Sequence, residues 1–231
     1  MKKTKILTAV SLLLIPLTVI FGRKLPGRSY YITSLLVILE IMIPFFLSFE
    51  GRKPEARELV LLAVLSALAI ASRVVIPIPN FKATYAMIML AGIALGAESG
   101  FLVGALTALV SNFFFGQGPH TPWQMMAYGA GGCLMGFLFR RGLLPRKRLL
   151  LGLFGAAAVI LFIGPLLDTS SVFMMLSRLT PETALAIYLA GFPVNCTQAV
   201  PTFLVLFFLG KPFLEKLDRV KLRYGMGDMA G

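Results

Sequence analysis

An all-α integral membrane protein is the fold class this sequence predicts, on three observations. Hydrophobic residues make up 58% of 231 and charged residues only 14%, with a mean hydropathy of +0.85. A soluble domain normally has about a quarter of its residues charged and could not hide that much apolar surface. Apolar runs recur eight times, at 6–21, 30–49, 59–76, 84–97, 100–115, 125–139, 149–167 and 184–209, against the roughly 20 residues that a span requires. The basic residues, finally, gather in short segments between or after those runs. The predicted organisation is two N-terminal transmembrane helices with a charged linker (1–58), a six-helix core (59–210) and a basic tail (211–231), about eight spans in all.

Orientation follows from the cations. Arg140, Arg141, Arg146, Lys147 and Arg148 crowd one loop, and Lys211, Lys216, Arg219, Lys221 and Arg223 follow the last run. Both groups belong in the cytoplasm by the positive-inside rule, which places both termini inside. Arg23, Lys24 and Arg28, in the first external loop, oppose the rule and are outweighed. A net charge of +12 then needs no nucleic acid to explain it. It is a collar facing anionic headgroups, with the tail 212–224 expected as a surface-lying helix. The N-terminal run lacks a small-residue cleavage site, ending Phe21-Gly-Arg-Lys24, and reads as an uncleaved span of a multi-pass cell-membrane protein. Cys133 and Cys196 lack metal-ligand spacing and read as packing residues.

Each element carries a signal of its own. The first two runs contain little chemistry beyond Pro16 and Glu40. A carboxylate inside a span is a functional candidate, or a neutral acid facing a neighbouring helix. Ala63, Ala67 and Ala71 recur every four residues and so share one face of the third run. Gly92, Gly96, Gly100 and Gly104 keep the same interval, as do Gly132 and Gly136. Small residues at this spacing let membrane helices approach closely. Between the fifth and sixth runs lies a polar, turn-rich segment, Gly116-Gln-Gly-Pro-His-Thr-Pro-Trp-Gln124. It offers amides, a hydroxyl, an imidazole and an indole to an uncharged or weakly charged ligand, or else forms a tight hairpin with an interfacial tryptophan. In the last run Pro193 and Pro201 accompany Asn195 and Gln198, amides that serve a ligand or repair the interrupted backbone.

From 59 to 224 the chain resembles the substrate-specific (S) component of energy-coupling factor (ECF) vitamin transporters. The resemblance is carried by the alanine stripe, Ile78-Pro-Asn-Phe81, Leu90-Ala-Gly-Ile-Ala-Leu-Gly96 and Gly100-Phe-Leu-Val-Gly-Ala-Leu-Thr107. It continues in Val110-Ser-Asn-Phe-Phe-Phe-Gly-Gln-Gly-Pro119, Thr121-Pro-Trp-Gln-Met125, Ala190-Gly-Phe-Pro-Val-Asn195 and Leu209-Gly-Lys-Pro-Phe-Leu-Glu-Lys-Leu-Asp218. The run from Asn112 to Met125 is its most specific piece. Two departures stand out: His120 where tryptophan is expected, and two spans ahead of the six-helix S-component core.

The resemblance implies a binding protein that is not an enzyme. Its partners would be a transmembrane coupling (T) subunit and two cytoplasmic ATPase subunits, and it would reorient to deliver a vitamin or precursor. Ala63, Ala67 and Ala71 would form the coupling-subunit interface. The chain has no Gly-x-x-x-x-Gly-Lys-Ser/Thr loop, so ATP belongs to the partners, and no cofactor or metal is expected here. Candidate substrate contacts are Asn80, Asn112, Gln117, His120, Trp123, Gln124, Asn195 and Gln198. Trp123 is either a stacking platform or a headgroup-level anchor, and Arg73 snorkels or pairs with Asp168. The Phe114–Gln124 run is similar to members associated with cobalamin or its precursors, whereas a pocket with few charges also fits a pyridoxine-like compound. Two other classes are weaker. A lipid-modifying enzyme wants acidic metal clusters or a nucleophile with a base, and a secondary transporter wants inverted repeats and charged relays.

Overall fold

A computed structural model describes residues 29–51, 55–175 and 180–225, together with Leu14, Leu17 and Thr18. Among the described residues there are seven helices: α1 (Ser29–Gly51), α2 (Ala56–Val74), α3 (Thr84–Leu95), α4 (Ala97–Phe115), α5 (Thr121–Arg140), α6 (Arg148–Met175) and α7 (Pro181–Arg223). α4, α6 and α7 are each long and apolar enough to cross a membrane. Three others, α2, α3 and α5, fall short of that standard for visible reasons. α2 carries Arg57, Glu58 and Arg73, α3 has only 12 residues, and α5 is diluted by four glycines. The first expected span, 6–21, lies outside the described residues except for the three named above.

α3 is the centre of the bundle. Every residue from Thr84 to Leu95 except Met87 is buried, so the helix has no wet face and needs none. α4 and α5 pack on it through the glycine ladder. A Cβ at Gly100 would lie 2.6 Å from the Gly132 carbonyl oxygen, and one at Gly136 would lie 2.7 Å from that of Gly92. The backbones therefore touch where the four-residue spacing predicts, a contact that no larger side chain permits. Gly96, at φ 108°, turns the chain from α3 directly into α4. α1 lies over the outside of this unit. Its Ile38 and Met42 are buried with Phe101, Ala105 and Trp123, and Phe46 meets Phe101 edge-on at 6.2 Å. Glu40 on the same helix accepts a hydrogen bond from the Thr18 hydroxyl at 2.6 Å, so this carboxylate faces a neighbouring segment.

α6 and α7 complete the core, and each contains one wide π turn, at Val159–Ile163 and Leu206–Gly210. The expected separate surface helix in the tail is replaced by an unbroken continuation of α7. The second π turn keeps Leu206, Gly210, Leu214 and Leu217 buried. Beyond it, the tail docks under α3, whose last carbonyls would otherwise lack donors. Lys221 donates to the Ala94 oxygen at 2.8 Å, Arg140 to the same oxygen at 2.7 Å, and Arg146 to Ile93 at 3.3 Å. Asp218 accepts from Arg146 at 2.9 Å and Lys221 at 2.8 Å. Three of the basic residues counted as a headgroup collar are thus helix-terminal caps in this fold.

Candidate functional site

At the opposite end from this basic cluster, a cavity of about 270 Å³ opens between the end of α2, the turn that follows it, and the near ends of α3, α4 and α5. α6 contributes Leu167 to its wall and α7 contributes Gln198. Its volume is close to the lower bound for small-molecule sites, about 300 Å³. Asn80 adopts φ 57°, a left-handed conformation that asparagine tolerates better than most residues. This turns the 76–83 segment back so that Asn80 and Lys82 both reach the cavity. The Gln198 amide donates to the Asn80 side chain at 3.3 Å and accepts from the Tyr85 hydroxyl at 3.1 Å. Tyr85 in turn meets Tyr128 edge-on at 5.0 Å. Two phenols, three amides (Asn80, Gln124, Gln198) and the ring of Phe115 thus converge on one space.

Asn112 organises this end from behind. It is 1% exposed, accepts from Arg73 at 3.0 Å, and donates to Thr121 at 3.1 Å and to Gln124 at 2.8 Å. Arg73 does not pair with Asp168. Its guanidinium also bonds Ser111 and stands 5.0 Å from the Phe115 ring centre and 5.5 Å from that of Tyr128. Asp168 is taken by the Asn195 amide at 2.8 Å, on the α6–α7 seam beside Gly164 and Gly191.

Of the eight candidate contacts, the fold brings Asn80, Gln124 and Gln198 to the cavity wall and puts Asn112 directly behind them. The remaining four stand elsewhere. Gln117 closes the turn before α5, donating to the Leu109 carbonyl at 2.8 Å and accepting from Thr121 at 2.9 Å. His120 folds against Gly118 just ahead of α5. The expected polar loop is shorter than 116–124, since Pro122 sits in the first turn of a helix that already contains Trp123 and Gln124. Trp123 lies away from the cavity wall. It is 6% exposed and stacks on Phe173 at 5.8 Å under α1. Asn195 braces a helix seam, and the hydroxyls of Thr197 and Thr202 bond carbonyls one turn back in α7.

Sequence reasoning missed Tyr85, Tyr128, Lys82, Thr84, Phe115 and Leu167. The legible signal was the pair of tyrosines in otherwise apolar or glycine-rich helices, because a buried phenol needs a partner. Ala63, Ala67 and Ala71 are exposed, flanked by exposed Val60 (64%), Val64 and Leu68. Among the described residues no group of histidine, cysteine, aspartate or glutamate is placed to hold a metal ion.

No curated protein and no solved structure matches the chain. Residues 53–214 match the family described as ECF-type riboflavin transporter, S component. The match takes in the whole bundle from the start of α2 to Leu214, and leaves out α1 and everything before it. It agrees with a multi-pass membrane transport component, not an enzyme. The chain therefore belongs to the ECF-type riboflavin transporter S-component family.

Proposed function

We propose that this protein is the substrate-capturing subunit of an ATP-driven ECF importer, and that its cavity takes a flavin-sized aromatic compound at the outer face of the membrane. The observation that carries this reading is the convergence of Tyr85, Tyr128 and Phe115 with the amides of Asn80, Gln124 and Gln198 around about 270 Å³. Aromatic faces suit a flat heterocycle, and amides suit its alternating donors and acceptors. The family's name points to riboflavin. A corrinoid is several times larger than a flavin, and Gln117, His120 and Trp123, part of the run resembling cobalamin-type members, stand away from the cavity. The smaller ligand is the better fit.

Titration of the purified protein with riboflavin, followed by quenching of flavin fluorescence, tests this. Saturable binding is expected, with Gln198→Ala weakening it about three- to tenfold, the effect of one buried hydrogen bond of 0.5–1.5 kcal/mol. Cobalamin and pyridoxine in the same assay provide the competing outcomes. Saturation by cobalamin and not by riboflavin would reinstate the corrinoid reading.

Delivery follows from the outer flank. The exposed stripe Ala63, Ala67 and Ala71 gives α2 a smooth face on which a transmembrane coupling subunit slides, while two ATPase subunits supply the force. Ala67→Leu adds three heavy atoms to that face, far from the cavity. The expected result is normal ligand affinity with weakened co-purification of the coupling subunit in mild detergent. Full assembly of this variant would argue that another face docks.

A further inference from the structure

We infer that the natural ligand of this cavity carries an anionic group, a phosphate ester or a carboxylate, set against Arg73 and Lys82; the inference deepens the reading of this cavity as the substrate site and rests on it. Both cations line the cavity, and among the described residues no carboxylate does. Arg73 is held by neutral partners: the Ser111 hydroxyl, the Asn112 carbonyl oxygen and two aromatic faces. Lys82 donates to the backbone carbonyl of Arg73 and stands 5.0 Å from the Phe115 ring centre, the same ring that Arg73 faces. Two like charges therefore share one aromatic ring at the end of an apolar bundle. Such a pair is costly unless something opposite in sign joins it.

Asp168, outside the cavity lining, is engaged by the Asn195 amide at 2.8 Å. Arg73 has only one nitrogen in these bonds, so its planar fork keeps donors for an oxyanion. The aromatic half of the ligand would lie toward Tyr85 and Tyr128, and its anionic end toward the turn that carries Lys82.

Matched ligand pairs test the charge directly. Wild-type protein is titrated with riboflavin and with riboflavin 5′-phosphate, and the ratio of the two dissociation constants is the readout. A preference of roughly tenfold for the phosphate is expected. Lys82→Gln should collapse that ratio towards one, and Lys82→Arg should restore it. A ratio near one in the wild type, a preference for the neutral flavin, or a ratio that survives Lys82→Gln would each overturn the inference.

Binding of neither flavin would bring down the flavin reading alone. The ratio is then read from pyridoxal against its 5′-phosphate, and from nicotinamide against nicotinate. Preference for the charged member, lost in Lys82→Gln, upholds the anion and separates ester from carboxylate; no binding across all three pairs rejects it.

Discussion

Gly132→Leu is expected to abolish the folded bundle at ordinary temperatures, or to lower its melting point further than any cavity substitution. The Gly132 position on α5 faces two helices at once. A side chain there would run into the Gly100 carbonyl of α4 and would lie within 2.9 Å of the Ile88 side chain of α3. The Gly132 carbonyl is itself the surface that Gly100 and Gly92 pack on. Nothing on the α4 side can yield by changing rotamer, because the obstructing atom is backbone. Overpacking typically costs about 1–3 kcal/mol, and this site belongs at or above the upper end. Gly210→Ala is the control. Its nearest neighbour is the side-chain tip of Leu151 at 3.4 Å, an ordinary van der Waals contact, so a shift close to zero is expected. Thermal unfolding of both variants in one detergent checks the pair. Equal melting points would mean that the helices are not in backbone contact at Gly132.

The close packing of the glycines was legible in the sequence, the helices they meet were not, and the cavity was only half legible. Glycines four residues apart mark a packing face without reference to any partner, as Gly100 and Gly104 do on α4 and Gly132 and Gly136 on α5, whereas Gly96 proves to be the turn between α3 and α4. The same holds for Ala63, Ala67 and Ala71, whose common face is exposed. Side-chain amides are another matter. Asn80, Asn112, Gln117, Gln124, Asn195 and Gln198 look alike as polar residues in apolar surroundings, but each is assigned by what lies across from it. Gln198 meets Asn80, 118 positions away, while Gln117 bonds residues of its own neighbourhood, Leu109 and Thr121. Pro122 hid the start of α5, because proline marks a loop as readily as the first turn of a helix. The fate of the tail was illegible for the same long-range reason. Leu214 and Leu217 announce an amphipathic helix, but only the orphan carbonyls of Ile93 and Ala94 decide that it docks on protein and not on lipid.

Asn112→Leu should weaken ligand binding more than Gln198→Ala, although Asn112 does not line the cavity. From its place on α4 the amide hydrogen-bonds side chains of both α2 and α5. Its oxygen fixes Arg73, and its nitrogen fixes Thr121 and Gln124. Leucine keeps the volume and removes all three bonds. Thr121 keeps Gln117 and the Gly118 amide as partners. Arg73 keeps Ser111, so its charge remains where it was with one acceptor fewer. Gln124 has no second side-chain hydrogen bond among the described residues and would turn more freely in the cavity wall. Leaving buried partners unsatisfied costs about 1–3 kcal/mol, and part of that appears as lost affinity because the loosened groups are the ones that line the site. The expected result is a loss of roughly tenfold or more in affinity, accompanied by a lower melting point. Asn112→Asp separates the two effects. It retains an acceptor for Arg73 but cannot donate to Gln124, and it sets a fixed negative charge beside the guanidinium. If the cations await an anion, this variant should melt near the wild-type temperature while losing affinity for the charged ligand more steeply than Asn112→Leu does. An Asn112→Asp protein that binds the charged ligand as tightly as the wild type would show that Arg73 contributes structure alone.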